Sequence, residues 1–147
     1  MTAKVMALIR YAAKGQSGEH LQAVKLLEAL GMEGDFHPGG ERQLCLITTE
    51  IRQWMDHQPQ KGLCFGRFKE NIRIAGLPDG AVPPGVRISV GDAVLRVAEN
   101  SKPCHSEECG LFSQGVRCRL SACAVFAVVE RGGVVRVGDE VSVSETV

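Results

Sequence analysis

The segment from Lys102 to Cys109 concentrates reactive side chains, and it reads Lys-Pro-Cys-His-Ser-Glu-Glu-Cys. A thiol acts as a nucleophile or a soft metal ligand only as the thiolate, which a nearby cation such as Lys102 or protonated His105 favours. Pro103 fixes the backbone before Cys104 and holds the sulfur in one direction. The alternative is that Cys104 and Cys109 are small buried apolar residues. Their charged neighbours favour a reactive site instead.

The cysteine spacing offers a second interpretation. Four residues separate Cys104 from Cys109, and four separate Cys118 from Cys123. Zinc takes four sulfurs in a tetrahedron, so a zinc-stabilised interaction module is one hypothesis. Against it, Cys123 lies in an apolar run whose alternation directs it towards a core. Two further cysteines lie in apolar settings and are predicted to be packing residues: Cys45 and Cys64.

Polar residues outside this segment offer partners for a phosphorylated, ring-containing ligand. The amides of Gln43 and Asn71 can make paired hydrogen bonds with a heterocycle, and arginine and lysine can pair with an anion. The candidate cations are Arg42, Arg67, Lys69 and Lys102. Asp35 and His37 lie nearby in a loop rich in glycine. The chain lacks the glycine-rich phosphate loop, the dinucleotide fingerprint and the serine-hydrolase elbow, which excludes those common templates.

The first half of the chain must position these residues with a mixture of strands and helices. Residues 5–9 and 43–48 are predicted to be strands, and residues 49–56 a short helix capped by a threonine hydroxyl. Residues 19–30 have apolar side chains at a spacing of three, which predicts a helix that ends at Gly31.

The second half is predicted to be all β. From Gly62 onward, short apolar runs alternate with glycine, proline and aspartate, and almost no helical period remains. Residues 90–97 and 137–143 both begin Val-Gly-Asp and continue as an alternating strand. Such a turn feeding a strand is typical of β-barrels. We expect residues 1–147 to form a single domain.

Composition narrows the classes of partner. The chain has 147 residues, and its 17 Lys and Arg balance its 17 Asp and Glu. It therefore lacks the basic excess typical of nucleic-acid binding. The longest apolar run, residues 122–129, is far shorter than the ~20 residues that span a bilayer. The apolar run before Arg10 is too short to predict a signal peptide. We expect a cytoplasmic protein that binds neither nucleic acid nor membrane, with its cysteines as thiols or metal ligands.

Taken together, these segments resemble the MOSC family, the domain named for the C-terminal part of molybdenum cofactor sulfurase, and in particular its small stand-alone members. The resemblance follows seven segments in order: Lys14-Gly15, Gly34-Asp-Phe-His-Pro-Gly with Arg42-Gln43, residues 65–72, Val90-Gly-Asp92, Lys102 to Cys109, residues 115–118, and Gly132-Gly133 with Gly138-Asp139. The sequence departs from the family in two places. Residues 106–108 separate His105 from Cys109, and residues 119–122 lack the Pro-Arg-x-Gly of relatives.

The resemblance implies a mainly β (α+β) fold, a MOSC-like β-barrel with one or two helices in the N-terminal half. It also implies that Cys104, assisted by Lys102 and His105, either carries sulfur or ligates the molybdenum of a pterin cofactor (molybdopterin). Cys109 is a further candidate metal ligand. The resemblance implies that His37, Glu70 and Asn71 line the cofactor pocket. The candidate partners Arg42, Gln43, Arg67 and Lys69 complete the predicted cofactor-binding set.

The leading functional hypothesis is a protein that binds molybdenum cofactor or carries sulfur to it. A desulfurase domain has no room in this chain, so we expect sulfur to come from a partner such as a cysteine desulfurase. A molybdoenzyme or cofactor-maturation protein would be the other partner. The alternative is a molybdenum-dependent reductase of N-hydroxylated compounds, with Lys102 or His105 placed for proton transfer. The zinc module is the second alternative.

Overall fold

The computed structural model describes residues 3–13, 18–35, 43–57, 70–76, 84–99 and 125–144. These residues form strands joined by turns, and one helix follows the fifth strand. The elements are β1 (Ala3–Arg10), β2 (Glu19–Leu21), β3 (Ala23–Leu27), β4 (Gly31–Met32), β5 (Leu44–Thr48), α1 (Thr49–His57), β6 (Ile72–Ala75), β7 (Arg87–Val90), β8 (Ala93–Glu99), β9 (Val125–Arg131), β10 (Gly133–Arg136) and β11 (Glu140–Ser144).

Seven of the strands close into a barrel, in the order β1-β6-β5-β9-β8-β7-β11. The ring closes because β11 pairs with the start of β1, where Ala3 lies opposite Val141. Strands β5 and β6 run parallel, and the other described neighbours in the barrel are antiparallel. Closure pairs the polar edges that an open sheet would expose. The prediction of a mainly β barrel is therefore confirmed.

The barrel interior is filled by apolar side chains from alternate positions of its strands. Strand β7 shows the alternation clearly, because Ile88 and Val90 are fully buried while their neighbours are exposed. Burying one such side chain contributes about 1.5–3 kcal/mol. The largest fully buried side chains of this core are Leu8, Leu26, Leu44, Ile72, Ile74, Ile88 and Leu95.

Helix α1 covers part of the outside of the barrel. It contacts β5 and β6, and its buried residues Ile51 and Met55 are four positions apart, as one face of a helix requires. The backbone N–H of Ile51 donates to the Thr48 hydroxyl at 3.2 Å, so Thr48 caps the helix. The predicted short helix with a threonine cap is confirmed. The described part of the chain contains no helix that is long and apolar enough to cross a membrane.

The helix predicted for residues 19–30 is wrong. This segment forms β2, β3 and a turn, and β3 pairs with β10 and β4 in a small second sheet. The spacing of three between apolar residues did not reflect which side chains are buried. Burial instead alternates along β3, where Leu26 is fully buried, and Leu30 in the following turn is 49% exposed. Pairing with distant strands outweighed the weak local preference. Gly31 does not end a helix; a Cβ there would lie 2.9 Å from the Gln43 carbonyl oxygen, so a close approach of two segments requires glycine.

The two Val-Gly-Asp segments form the predicted turns and lie against each other. Gly91 and Gly138 both have positive φ angles, 54° and 95°, and lead into β8 and β11 respectively. The N–H of Asp92 donates to the Val134 carbonyl at 3.3 Å, and the Asp139 carboxylate accepts from the Arg136 N–H at 2.8 Å. The repeated motif therefore positions β8 and β11 at one end of the barrel.

Gly91→Ala is expected to destabilise the protein more than Gly138→Ala. Both changes force alanine into a left-handed conformation, which costs about 1–2 kcal/mol. A Cβ at residue 91 would also lie 3.0 Å from the Val134 carbonyl oxygen and against the Asp139 carboxylate, whereas one at residue 138 meets nothing within 4 Å. We expect a total loss of about 2–4 kcal/mol for Gly91→Ala, measured by urea unfolding. Equal losses in the two variants would show that the contact between the turns is unimportant.

Candidate functional site

Three of the predicted site residues lie in the described part of the chain: Gln43, Glu70 and Asn71. The structure brings Glu70 and Asn71 together with Tyr11 and Asp35 where β6 begins. Gln43 lies apart from them, beside β9. The other predicted residues lie outside the described residues: His37, Arg42, Arg67, Lys69, Lys102, Cys104, His105 and Cys109.

Asn71 is fully buried and joins β1 to β5. Its backbone N–H donates to the Cys45 carbonyl at 2.7 Å, and its side-chain oxygen accepts from the Cys45 N–H at 3.0 Å. On the other side, its carbonyl accepts from the Ile9 N–H at 2.8 Å, and its side-chain N–H donates to the Ile9 carbonyl at 3.2 Å. Asn71 therefore satisfies both polar backbone groups of each neighbour, and its amide replaces a peptide group in the sheet.

The remaining N–H of the Asn71 amide donates to Asp35 Oδ1 at 3.2 Å. The same oxygen accepts the backbone N–H of Tyr11 at 2.9 Å. Both N–H groups of the Asn71 amide thus bond within the protein. Sequence reasoning placed Asp35 in a polar loop and did not identify this contact, because it joins residues 36 positions apart.

Glu70 is almost completely buried and pairs with two arginines. Its Oε1 accepts from Arg52 Nη2 of α1 at 2.6 Å and from Arg73 Nη2 of β6 at 2.9 Å. Charge-assisted hydrogen bonds of this kind are stronger than neutral ones. The three charged side chains link α1 to the barrel, and together they carry a net charge of +1. Sequence reasoning missed both arginines; the signals were Arg73 three positions after Glu70 and Arg52 beside the apolar face of α1.

Tyr11 is a buried phenol beside this ion-pair cluster. Burial raises the pKa of Tyr11 to about 12; the Glu70 carboxylate adds to the rise and Arg52 opposes it. Gly18 packs on the ring, since a Cβ there would lie 2.8 Å from Tyr11 Cε1. Tyr11 is therefore neutral at physiological pH and contributes packing next to two charged side chains.

Gln43 holds a turn against β9. Its side-chain nitrogen donates to the Ala29 carbonyl at 3.1 Å, and its side-chain oxygen accepts from the Val129 N–H at 2.9 Å. Ala29 has a φ of 62°, a conformation rare for a residue with a Cβ. The sequence suggested that the Gln43 amide binds a heterocycle. In the structure, this amide makes hydrogen bonds with backbone groups of the protein instead.

No group of three or more His, Cys, Asp or Glu side chains suited to a metal ion occurs among the described residues. Cys45 is a buried free thiol, so the prediction that it is a packing residue is confirmed. Its backbone groups bond with Asn71, which places this cysteine beside the polar cluster.

A closed barrel of seven strands, with a buried Glu-Asn pair at the start of a parallel strand, defines a small, mainly β domain. The MOSC domain family model matches residues 33–142, and the chain therefore belongs to the MOSC domain family. No curated protein matches the chain closely enough to be counted as a relative.

Several solved structures share the fold. The YuaD protein from Bacillus subtilis is 23% identical, with a TM-score of 0.72, over 97% of this chain and 96% of that one. YiiM from Escherichia coli is 21% identical, with a TM-score of 0.64, over 100% of this chain and 71% of that one. YiiM from Geobacillus stearothermophilus is 16% identical, with a TM-score of 0.65, over 97% and 75%. These similarities show that the chain has the same fold as these three proteins.

We expect Arg52 and Arg73 to be strongly coupled through Glu70. After Arg52→Met or Arg73→Met alone, the other arginine still neutralises the buried carboxylate, whereas the double change leaves it without a cation. The double variant should therefore lose about 1–3 kcal/mol more than the sum of the single variants, measured by urea unfolding.

The matched control is the exposed arrangement of Arg87, Arg96 and Glu130. Its distances are 2.6 and 3.9 Å, and Glu130 is 37% exposed. Water screens these charges, so the same double change to methionine should couple by less than about 1 kcal/mol. Equal coupling in the two sets would contradict the assignment of Glu70 as a buried anion held by both arginines.

Tyr11 is the chain's single tyrosine, so the ultraviolet absorbance of phenolate reports its titration alone. We expect a midpoint at about 12 in the folded protein and about 10 in urea. Because folding raises this pKa, the stabilisation is complete below about pH 10 and is lost as the pH rises towards 12. Tyr11→Phe should lack that part of the pH dependence, and a folded-state midpoint near 10 would show that the phenol is exposed.

Proposed function

We propose that this protein binds molybdenum cofactor, or carries sulfur for it, through Cys104. The observation that carries the proposal is the match to the MOSC domain family over residues 33–142, a range that includes every predicted site residue. The parallel pairing of β5 and β6 gives independent support for grouping the predicted residues that precede these two strands.

The predicted residues lie in three segments, and each segment leads into one of three adjacent strands. Residues 36–42 precede Gln43 and β5, residues 58–69 precede Glu70 and β6, and residues 100–124 precede β9. In the sheet, β5 lies between β6 and β9. The segments before β5 and β6 enter the sheet at the same end, because these strands are parallel, and they can contribute side chains to a common site. Strand β9 is antiparallel to β5, so the chain before it enters from the opposite end.

The strand register gives the distance between the first residues of β6 and β9. Ile72, which begins β6, and Val125, which begins β9, both pair with Leu46 of β5. Neighbouring strands are about 4.8 Å apart, so these two residues lie about 10 Å apart across β5. The described strands that follow residues 58–69 and 100–124 therefore begin within the span of a pterin-sized ligand.

The side chains in those segments fit the chemistry of the cofactor. A thiolate at Cys104 is a suitable soft ligand for a transition metal, and the cations Arg42, Arg67, Lys69 and Lys102 suit its phosphate. When bound, the cofactor supplies a metal that changes oxidation state. Lys102 and His105 would favour the thiolate of Cys104 and hold or release a proton beside it. Asn71 and Glu70 would fix the start of β6, and Lys69 precedes them in the sequence.

Sulfur transfer through the same cysteine is a balanced exchange. The Cys104 thiolate attacks the outer sulfur of a persulfide on a partner protein; the partner's S–S bond breaks and a new S–S bond forms on Cys104. The partner's sulfur leaves as a thiol and Cys104 becomes a persulfide anion, with no net oxidation. A cysteine desulfurase is a donor of this chemical class, and a molybdoenzyme or a cofactor-maturation protein would be the recipient.

Cys104→Ser should abolish loading while leaving the fold intact. The protein is purified from a host supplied with molybdate, and its molybdenum and pterin are measured by elemental analysis and pterin fluorescence. We expect both in the unaltered protein and a loss of about tenfold or more in Cys104→Ser. Circular dichroism should be unchanged, since the residue lies in a polar stretch of sequence.

Cys45→Ser is the matched control. Cys45 is buried, so this change should lower the free energy of unfolding by about 1–3 kcal/mol but leave the loading of the folded protein unchanged. Molybdenum and pterin lost only in Cys45→Ser would contradict the assignment of Cys104.

If the unaltered protein holds neither molybdenum nor pterin, cofactor binding is wrong, and mass spectrometry for an added sulfur on Cys104 tests the carrier role. One equivalent of zinc would instead support the zinc module, and turnover of an N-hydroxylated base would assign the reductase.

A further inference from the structure

We propose that the outer face of strands β7, β8 and β9 binds a phosphate group through Arg87, Arg96 and Arg131. This inference goes beyond the proposed function and does not depend on it. Arg87 begins β7, Arg96 lies within β8, and Arg131 ends β9.

This face of the barrel is open to solvent. The side chains of Arg87 and Arg96 are 47% and 44% exposed, and Arg131 is also exposed. On the part of the barrel that α1 contacts, by contrast, Ile47 of β5 is buried. The three arginines are therefore accessible to a ligand without any movement of the strands.

The strand register brings the three arginines together. Arg87 pairs directly with Arg96, so their Cβ atoms are about 4.5–5.5 Å apart on one face of the sheet. Arg131 pairs with Val94, which lies two positions before Arg96 on the same side of β8. Arg131 is thus a diagonal neighbour of Arg96, at about 7–8 Å. Like charges directly opposite each other are unfavourable, and a bound anion would relieve this repulsion.

Glu130 neutralises these arginines only in part. Its Oε1 accepts from Arg87 Nε at 2.6 Å, whereas its Oε2 lies 3.9 Å from Arg96 Nε, which is too far for a hydrogen bond. Within the described residues, the guanidinium groups of Arg96 and Arg131 donate no hydrogen bond. Two guanidinium groups on this face are therefore available to an oxygen ligand.

The other acidic residues close to this face do not neutralise the arginines either. Asp92 lies in the turn between β7 and β8, and Glu140 begins β11. In the part of the chain that the structure describes, neither forms an ion pair with the three arginines. The excess of positive charge is a local feature, because the whole chain has 17 Lys and Arg and 17 Asp and Glu.

Phosphate is the anion that fits this arrangement. It carries close to two negative charges at neutral pH and several strong acceptor oxygens, so one group can bond with Arg87 and Arg96 together. Guanidinium groups match phosphate oxygens with paired N–H donors, which a lysine cannot do. The ion pair of Glu130 with Arg87 is exposed and weak, so a phosphate group can displace the carboxylate.

The experiment is an NMR titration of the arginine Nε–H resonances with inorganic phosphate, at constant ionic strength maintained with sodium chloride. We expect saturable shifts of Arg87, Arg96 and Arg131. Arg87→Lys and Arg96→Lys keep the charge but lose the paired donors, so each should weaken binding by about threefold, and the double variant by about tenfold. Glu130→Gln removes the competing carboxylate and should tighten binding by about threefold.

Arg136→Lys is the matched control, because Arg136 is exposed but lies on β10, outside this face. Its affinity for phosphate should equal that of the unaltered protein. Phosphoserine, titrated in the same way, distinguishes the source of the group. Tighter binding of phosphoserine than of inorganic phosphate would assign a phosphate monoester, and equal or weaker binding would assign the free ion.

Three results would overturn the proposal. The first is the absence of saturable shifts with either probe. The second is equal affinity in the unaltered protein and the double lysine variant, because net charge alone would then account for binding. The third is weaker binding in Glu130→Gln, which would show that the carboxylate does not compete with phosphate. Circular dichroism of every variant confirms that the barrel is folded.

Discussion

The structure depends on the satisfaction of buried polar groups where β6 begins. Strand β6 runs parallel to β5 and antiparallel to β1, and at its start both neighbours present backbone groups that water does not reach. An unpaired polar group there would cost about 1–3 kcal/mol. Asn71 pairs with both neighbours because its side-chain amide repeats the donor and acceptor of a peptide group. A leucine of similar size would fill the space and leave these groups unbonded.

Two further contacts follow from the position of Asn71. The preceding residue, Glu70, lies beneath α1, where Arg52 and Arg73 neutralise its buried charge. The amide of Asn71 also reaches Asp35, which continues the same network to the segment after β4. Polar networks of this kind specify one arrangement of strands and helix, because a partly satisfied network would be less stable than an apolar contact. The neutral Tyr11 phenol packs beside the charges and completes the cluster.

The positions at which the barrel strands begin are relevant to the proposed function. Strands β5 and β6 run parallel, so the two segments of candidate cofactor-binding residues that precede them enter the sheet at the same end, although β5 and α1 separate these segments in the chain. A rigid barrel that carries its chemistry on the connecting segments is a common arrangement in enzymes and binding proteins. Membership of the MOSC domain family and the parallel pairing of β5 and β6 are independent observations, and the proposed site draws on both.

The sequence by itself determined the barrel class, the strands at residues 5–9 and 43–48, the capped helix after them and the paired Gly-Asp turns. These features have local causes: alternation, a threonine before a helix, and glycine at positive φ. The sequence also indicated Glu70 and Asn71 as candidate site residues. Only the tertiary structure decided that residues 19–27 contain strands β2 and β3 instead of a helix, because β10, a partner of β3, lies more than a hundred positions away. Arg73, three positions after Glu70, was a local partner that sequence reasoning missed. The tertiary structure alone revealed Asp35 and Arg52 as partners of Asn71 and Glu70, since hydrogen bonds between distant segments leave no periodic signal in a sequence.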